Sequence, residues 1–223
     1  MKLDVIEIFP KIYVYKNLLT DYNELVNILI NSELNPNDSF FFKDWQPWSV
    51  FGTYVLDLGK DDQIKQEDIS KNIELYNKEK YFIEKINANF YTATDHYLSH
   101  HNVIKDESWQ KMGPSFAKYA CINPLLKDNK NAMVYHTDYQ KDKGSKEKNF
   151  AITCTMYLND DYDGGALLFK INDEILSYKP ESGDILVFPS GHPDILSEDC
   201  QYEHAVTKVT KKDKHFIRCF YMV

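Results

Sequence analysis

Apolar positions along the chain follow two different spacings. Between Asp21 and Asn31, the residues Tyr22, Leu25, Val26, Leu29 and Ile30 recur at three- and four-residue steps. That is the stripe of an amphipathic helix, and Thr20 stands where its N-cap belongs. The same steps link Ile69, Ile73, Tyr76, Ile83, Ile86, Phe90 and Tyr97. They predict a long helix from Asp68 to about His100, with room for a break near Ala88–Thr94, lying on one face of a sheet. His96, His100 and His101 fall at its end and read as solvated cations at a helix C-terminus.

Elsewhere the pattern is β-rich. Val5–Tyr15 suggests a strand pair or one strand bent at Pro10. Gly52–Leu58, Phe116–Ile122 within Ser115–Leu125, Phe150–Leu158, Ala166–Ile171, Asp184–Phe188 and His215–Val223 read as further strands. Asp61–Glu67 is charged and reads as a linker, the charged insertion Gln140–Lys148 is predicted to lie on the surface, and Lys127–Asn131 is a polar turn. Asn35–Phe51 is punctuated by Asn, Asp and Pro yet carries Phe40, Phe41, Phe42, Trp45, Trp48 and Phe51. Two roles suit it: rings plugging the edge of a barrel, or a wall over a substrate channel.

Composition narrows the class. A chain of 223 residues with 43% hydrophobic content fits one domain with a sizeable core. The net charge of −8 argues against a chain-wide grip on nucleic acid, which needs a basic surface. No secretory signal and no run long enough to span a membrane is visible. Cys121, Cys154, Cys200 and Cys219 form no CxxC pair or zinc module, so they read as structural thiols in a reducing, cytoplasmic setting.

The chemistry concentrates after Met133. Residues i and i+2 of a strand share a face, so His136 and Asp138 can offer an imidazole nitrogen and a carboxylate oxygen to one ion. A second imidazole from a distant strand would complete a facial set of two histidines and one carboxylate, the donor set of non-haem Fe(II) oxygenases. His204 opens a β-branched run, whereas the rival His192 follows a turn at Phe188-Pro189-Ser190-Gly191.

At this point the sequence resembles the 2-oxoglutarate/Fe(II) oxygenases of the prolyl 4-hydroxylase-like branch. The resemblance rests on His136-Thr137-Asp138, on Thr155–Asp161 with Gly164-Gly165, on Lys179–Asp184 with Phe188-Pro189, and on His204 with Lys214 ten residues later. It implies an α+β fold: a double-stranded β-helix, or jelly-roll, with N-terminal helices packed on one sheet. A single domain over 1–223 is expected, with helical and strand support in 1–110 and the catalytic core in 111–223.

The resemblance also implies a dioxygenase that uses Fe(II), 2-oxoglutarate and O2, with ascorbate as an accessory reductant. His136, Asp138 and His204 would hold the iron. Lys214 would receive the far carboxylate of 2-oxoglutarate, because a buried carboxylate needs a paired charge; Arg218, four residues on along the same strand face, is the rival. Tyr157 and Thr155, with Tyr119 from the preceding strand, would supply neutral contacts, and Leu167 an apolar wall. Relatives often carry a tyrosine three residues before the first histidine, where this chain has Met133. The implied reaction is hydroxylation of an unactivated C–H, foremost on a prolyl residue of a protein or peptide. A free amino acid or other small molecule is the alternative substrate, and a non-catalytic 2-oxoglutarate-binding barrel the alternative function.

Overall fold

The structure is a computed structural model that describes residues 3–48, 53–58, 63–105, 109–121, 132–138, 150–172, 174–190 and 202–222. Among them the chain forms β1 (Asp4–Phe9), β2 (Ile12–Lys16), α1 (Tyr22–Leu34), β3 (Asp44–Trp48), β4 (Thr53–Asp57), α2 (Gln66–Lys71) and α3 (Ile73–His100). There follow β5 (Gln110–Tyr119), β6 (Met133–His136), β7 (Phe150–Tyr157), β8 (Leu167–Ile171), β9 (Glu174–Tyr178), β10 (Ile185–Pro189), β11 (Glu203–Val206) and β12 (Lys214–Met222).

The strands form an eight-stranded sheet in the order β1-β2-β10-β7-β12-β5-β4-β3 and a four-stranded sheet in the order β6-β11-β8-β9. All neighbours within both sheets are antiparallel. The two sheets make the jelly-roll that the resemblance implies, with α3 packed on the outer face of the larger one. The N-terminal part does more than support it, since β1–β4 are strands of that sheet.

Both faces of the central strands are buried, and period-two alternation sorts their residues. Cys154 and Met156 of β7, Ile185 and Val187 of β10, and Ile217, Cys219 and Tyr221 of β12 face the helices. They pack against Phe82, Ile86, Phe90, Ala93 and Tyr97 of α3. The alternate residues Tyr157, Leu186, Phe188 and Phe216 face the smaller sheet and meet Leu167, Phe169 and Val206 there. A one-residue slip in any of these strands would exchange the two sets, so the register is firmly specified.

Several expectations change. Asp68 belongs to the short α2, and α3 begins at Ile73, capped by Asn72, whose side chain accepts from the Leu75 N–H at 3.2 Å. It runs to His100 without a break at Ala88–Thr94, because Phe90, Ala93, Thr94 and Tyr97 keep one buried stripe. Thr20 does not cap α1: its hydroxyl donates to Asp21, which holds the N-cap position. Of His96, His100 and His101, His100 is exposed to solvent and the other two are half-buried. His96 Nδ1 lies 3.1 Å from the Tyr15 hydroxyl, and the other two rings pack edge-on against Tyr13.

The aromatic stretch Asn35–Phe51 is a plug at its start. Phe41 and Phe42 are buried. The fully buried Glu79 of α3 holds them by accepting from the N–H groups of Phe40 and Phe41 and from the Ser39 hydroxyl. The stretch then becomes β3, and Trp45 lies against the Lys118 ammonium, 5.6 Å from ring centre to nitrogen. Phe51, Cys200, His192 and the charged stretch Gln140–Lys148 lie outside the described residues.

Candidate active site

The space between the sheets opens into a pocket. Strand β6 delivers His136 and β11 delivers His204, and the two residues are direct register partners across the smaller sheet. Their rings lie 4.4 Å apart, centre to centre. Asp138 arrives differently from the sequence expectation. The strand stops at His136 and the chain bends at Asp138, so the carboxylate is turned into the pocket rather than carried on a strand face.

Asp138 lies between the two imidazoles. Its Oδ1 is 3.6 Å from His136 Nε2 and its Oδ2 is 3.7 Å from His204 Nε2. One ligand atom from each of the three residues falls within 4.8 Å of the other two, and among the described residues no other group of His, Cys, Asp and Glu does so.

Each ring is fixed from behind. His136 Nδ1 lies 2.9 Å from the Val134 carbonyl, and His204 Nδ1 lies 3.1 Å from the Tyr202 carbonyl. A carbonyl only accepts, so Nδ1 carries the proton in both rings and the Nε2 lone pair faces the shared centre. The Thr153 hydroxyl donates to Asp138 Oδ2 at 2.5 Å and in turn accepts from Ser190 at 2.6 Å. Phe188 packs edge-on against the His204 ring at 5.0 Å, and Phe169 lies 5.9 Å away.

The electrostatics follow from this arrangement. Burial pushes the Asp138 carboxyl up, but His204, His136 and the Thr153 hydroxyl outweigh it and hold the group at about 2. Burial also works against a proton on either imidazole. It prevails at His204, whose pKa falls below the free value, while at His136 the Asp138 carboxylate reverses the direction.

Lys214 lines the same pocket and is almost wholly buried. Its ammonium donates to the Gly165 carbonyl at 2.6 Å and sits 4.8 Å from the Tyr157 ring centre and 5.3 Å from that of Tyr162. Burial, helped by the nearby Lys179, pulls it down to about 7. The glycine turn makes this contact possible. A Cβ on Gly164, at φ +72°, would meet the Lys208 carbonyl oxygen at 1.9 Å, so no other residue fits.

Tyr119, Thr155, Tyr157, Leu167 and Arg218 all line the pocket as well. The Tyr119 hydroxyl is 3.4 Å from the sulfur of Met133, and its ring stacks on Phe216 at 5.3 Å. Ser190, Tyr162 and Phe169 are parts of the site that sequence reasoning did not assign to it. Thr153 was legible as the next residue of the Thr155–Tyr157 face, whereas nothing local marks Ser190.

A model of the 2OG-Fe(II) oxygenase superfamily matches residues 115–222. Over these residues the chain is similar to that superfamily. Its oxygenases use Fe(II), 2-oxoglutarate and O2. No curated protein matches the chain. Among solved structures, the chain is similar to the collagen prolyl hydroxylase of Paramecium Bursaria Chlorella virus-1, in its 2-oxoglutarate complex. That likeness has 14% identity, covers 96% of each chain and gives a TM-score of 0.59. A Trichoplax adhaerens prolyl hydroxylase, in complex with a hypoxia inducible factor peptide fragment, gives 0.58 at 15% identity over 95% of this chain and 83% of that one. A Pseudomonas putida prolyl-4-hydroxylase gives 0.55 at 14% identity over 95% and 92%. At such identities the likeness establishes the shared fold.

The donor set suits iron. Two outward-tied imidazoles and one ionised carboxylate converge at one end of the pocket, and a cation closes another part of it.

Proposed function

We propose that this chain is an oxygenase that hydroxylates an unactivated C–H of a prolyl residue in a protein or peptide. His136, Asp138 and His204 hold the iron, and Lys214 receives the far carboxylate of 2-oxoglutarate. The observation that carries the reading is the convergence of three metal-capable side chains and one buried ammonium in a single pocket. When bound, iron and 2-oxoglutarate supply the oxidising chemistry: O2 is consumed, the keto acid leaves as succinate and CO2, and one oxygen atom goes to the substrate.

The protein's share is to bind, orient and exclude water. The Val134 and Tyr202 carbonyls fix the two rings in the tautomer that presents Nε2. Thr153, held by Ser190, fixes the Asp138 carboxylate. Phe188 and Phe169 cover the His204 ring and keep that side dry. Lys214 meets the incoming carboxylate in a low-dielectric wall, and Tyr157 and Thr155 line its path, with Tyr119 and Leu167 completing the pocket.

The prolyl substrate is supported by the names of the similar structures, one of them bound to a peptide. The aromatic stretch lends it less support, since Phe41 and Phe42 are committed to the core. A free amino acid or other small molecule is the second reading, favoured for an acidic one by Arg218, a second cation lining the pocket. The test is succinate release with Fe(II), 2-oxoglutarate and ascorbate, together with mass spectrometry for the gain of one oxygen atom across a panel of proline-containing peptides and free amino acids. A peptide product supports the first reading and an amino-acid product the second. Tight 2-oxoglutarate binding with no product on any member of the panel would point to a non-catalytic barrel.

A further inference from the structure

The main chain of β7 ends at Tyr157, opposite Phe216 of β12. One more backbone bond follows, from the Leu158 N–H to the His215 carbonyl at 3.0 Å. Beyond it the chain turns away toward Gly164 and Gly165. On this edge of β12, two peptide groups flanking Lys214 have lost their strand partner: the Asp213 carbonyl and the His215 N–H. Both point to the same side, as alternate residues of an extended strand must.

The Asn159 side chain takes the place of the missing strand. Its Oδ1 accepts from the His215 N–H at 2.8 Å, and its Nδ2 donates to the Asp213 carbonyl at 2.8 Å. Nδ2 also donates to Asp161 Oδ1 at 2.8 Å. Only a carboxamide offers an acceptor and two donors in one planar group. On its other side, Lys214 is paired with Tyr119 of β5. Asp213 is further held by the buried Lys118, at 3.2 Å, and by the Cys121 N–H, at 2.9 Å.

We infer that Asn159 is a positioning residue for Lys214: it extends the β7–β12 ladder past the end of the β7 main chain and so sets where the ammonium stands in the pocket. The inference rests on the reading of Lys214 as the partner of the far carboxylate. Lys214 is bracketed by contacts from one loop, with Asn159 at the loop's start gripping its backbone and Gly165 at its end accepting from its side chain. Loss of the carboxamide therefore misplaces the cation without touching the metal-capable set, which sits on β6, β11 and the bend after β6.

The experiment compares Asn159→Ala, Asn159→Asp, Lys214→Met and the Asn159→Ala/Lys214→Met double variant. It measures calorimetric binding of 2-oxoglutarate to the Mn(II)-loaded protein, Mn(II) binding itself, thermal melting, and KM against kcat for 2-oxoglutarate. Asn159→Asp keeps the size and the acceptor, so it decides the matter if the alanine variant does not fold. Asn159→Ala is expected to weaken 2-oxoglutarate binding about tenfold, the scale of a lost pair of backbone contacts, and Asn159→Asp, which keeps one of the two, to weaken it less. The loss should appear in KM rather than kcat, with Mn(II) affinity held. In the Lys214→Met background, Asn159→Ala should weaken binding no further, since the two act through one contact. Wild-type binding in the folded Asn159 variants would overturn the inference, as would an equal loss in the Lys214→Met background or a parallel loss of Mn(II). If Lys214→Met itself binds 2-oxoglutarate as the wild type does, it is the reading of Lys214 that fails.

Discussion

Thr153 is a single hydroxyl whose removal separates geometry from ligation. It donates to Asp138 and is itself held by Ser190. Thr153→Val keeps the shape of the side chain but frees the carboxylate to rotate. Metal affinity should fall about 10- to 100-fold, the usual cost of losing a partner that orients a ligand, and anaerobic Mn(II) titration reads it directly. Lys214 gives a pH prediction. In the empty pocket its ammonium is held at about 7, and an incoming carboxylate favours the charged form. Below that pH the cation is already present. Above it each bound 2-oxoglutarate must bring a proton, so affinity should fall by up to about tenfold per pH unit. In Lys214→Met, affinity should be weaker and this slope absent, as calorimetry at several pH values would show. At this scale the sequence was informative where spacing encodes geometry. That His136, Asp138, His204 and Lys214 share one pocket was legible from the order of the motifs. The bend that turns Asp138 inward was not, since a two-residue spacing looks the same in a strand and in a bend.

The elements show the same division. The stripe of α3 predicted a helix covering a sheet, and Phe82, Ile86 and Phe90 do bury there. The break for which the pattern left room near Ala88–Thr94 does not occur, because Thr92 satisfies its hydroxyl on the Ala88 carbonyl within the helix and Thr94 reaches Cys154 of β7. Strands β3 and β9 escaped notice. β3 is hidden in an aromatic stretch that reads as loop, and β9 lies in a short, exposed run at the edge of the smaller sheet. Glu79 was invisible as well, being one acid on a charged helix. It now appears as the anchor of the Ser39–Phe42 plug. Glu79→Ala would leave two backbone N–H groups and a hydroxyl without their acceptor, at about 1–3 kcal/mol for each buried group. Thermal and urea unfolding should report the loss, while 2-oxoglutarate affinity, set on the other face of the sheet, should hold.

The whole molecule ties these parts together through its two cores. The helix-facing core fixes the register of β7, β10 and β12, and that register places Thr153, Thr155 and Tyr157 on the pocket side. Because metal and 2-oxoglutarate bind only the folded arrangement, adding both should raise the melting temperature, by about 2.7 kcal/mol of stability at a hundredfold excess over the dissociation constant. Chelation should reverse it. The net charge of −8 sets a further expectation at this scale, that the chain does not bind nucleic acid through its overall charge. The account depends most on the metal centre, and anomalous diffraction from crystals soaked anaerobically with Mn(II) and 2-oxoglutarate tests it most directly. The predicted result is one strong peak bonded to His136, Asp138 and His204, with the ligand's far carboxylate on Lys214. A metal bound elsewhere, or a 2-oxoglutarate molecule that does not approach these residues, would contradict it.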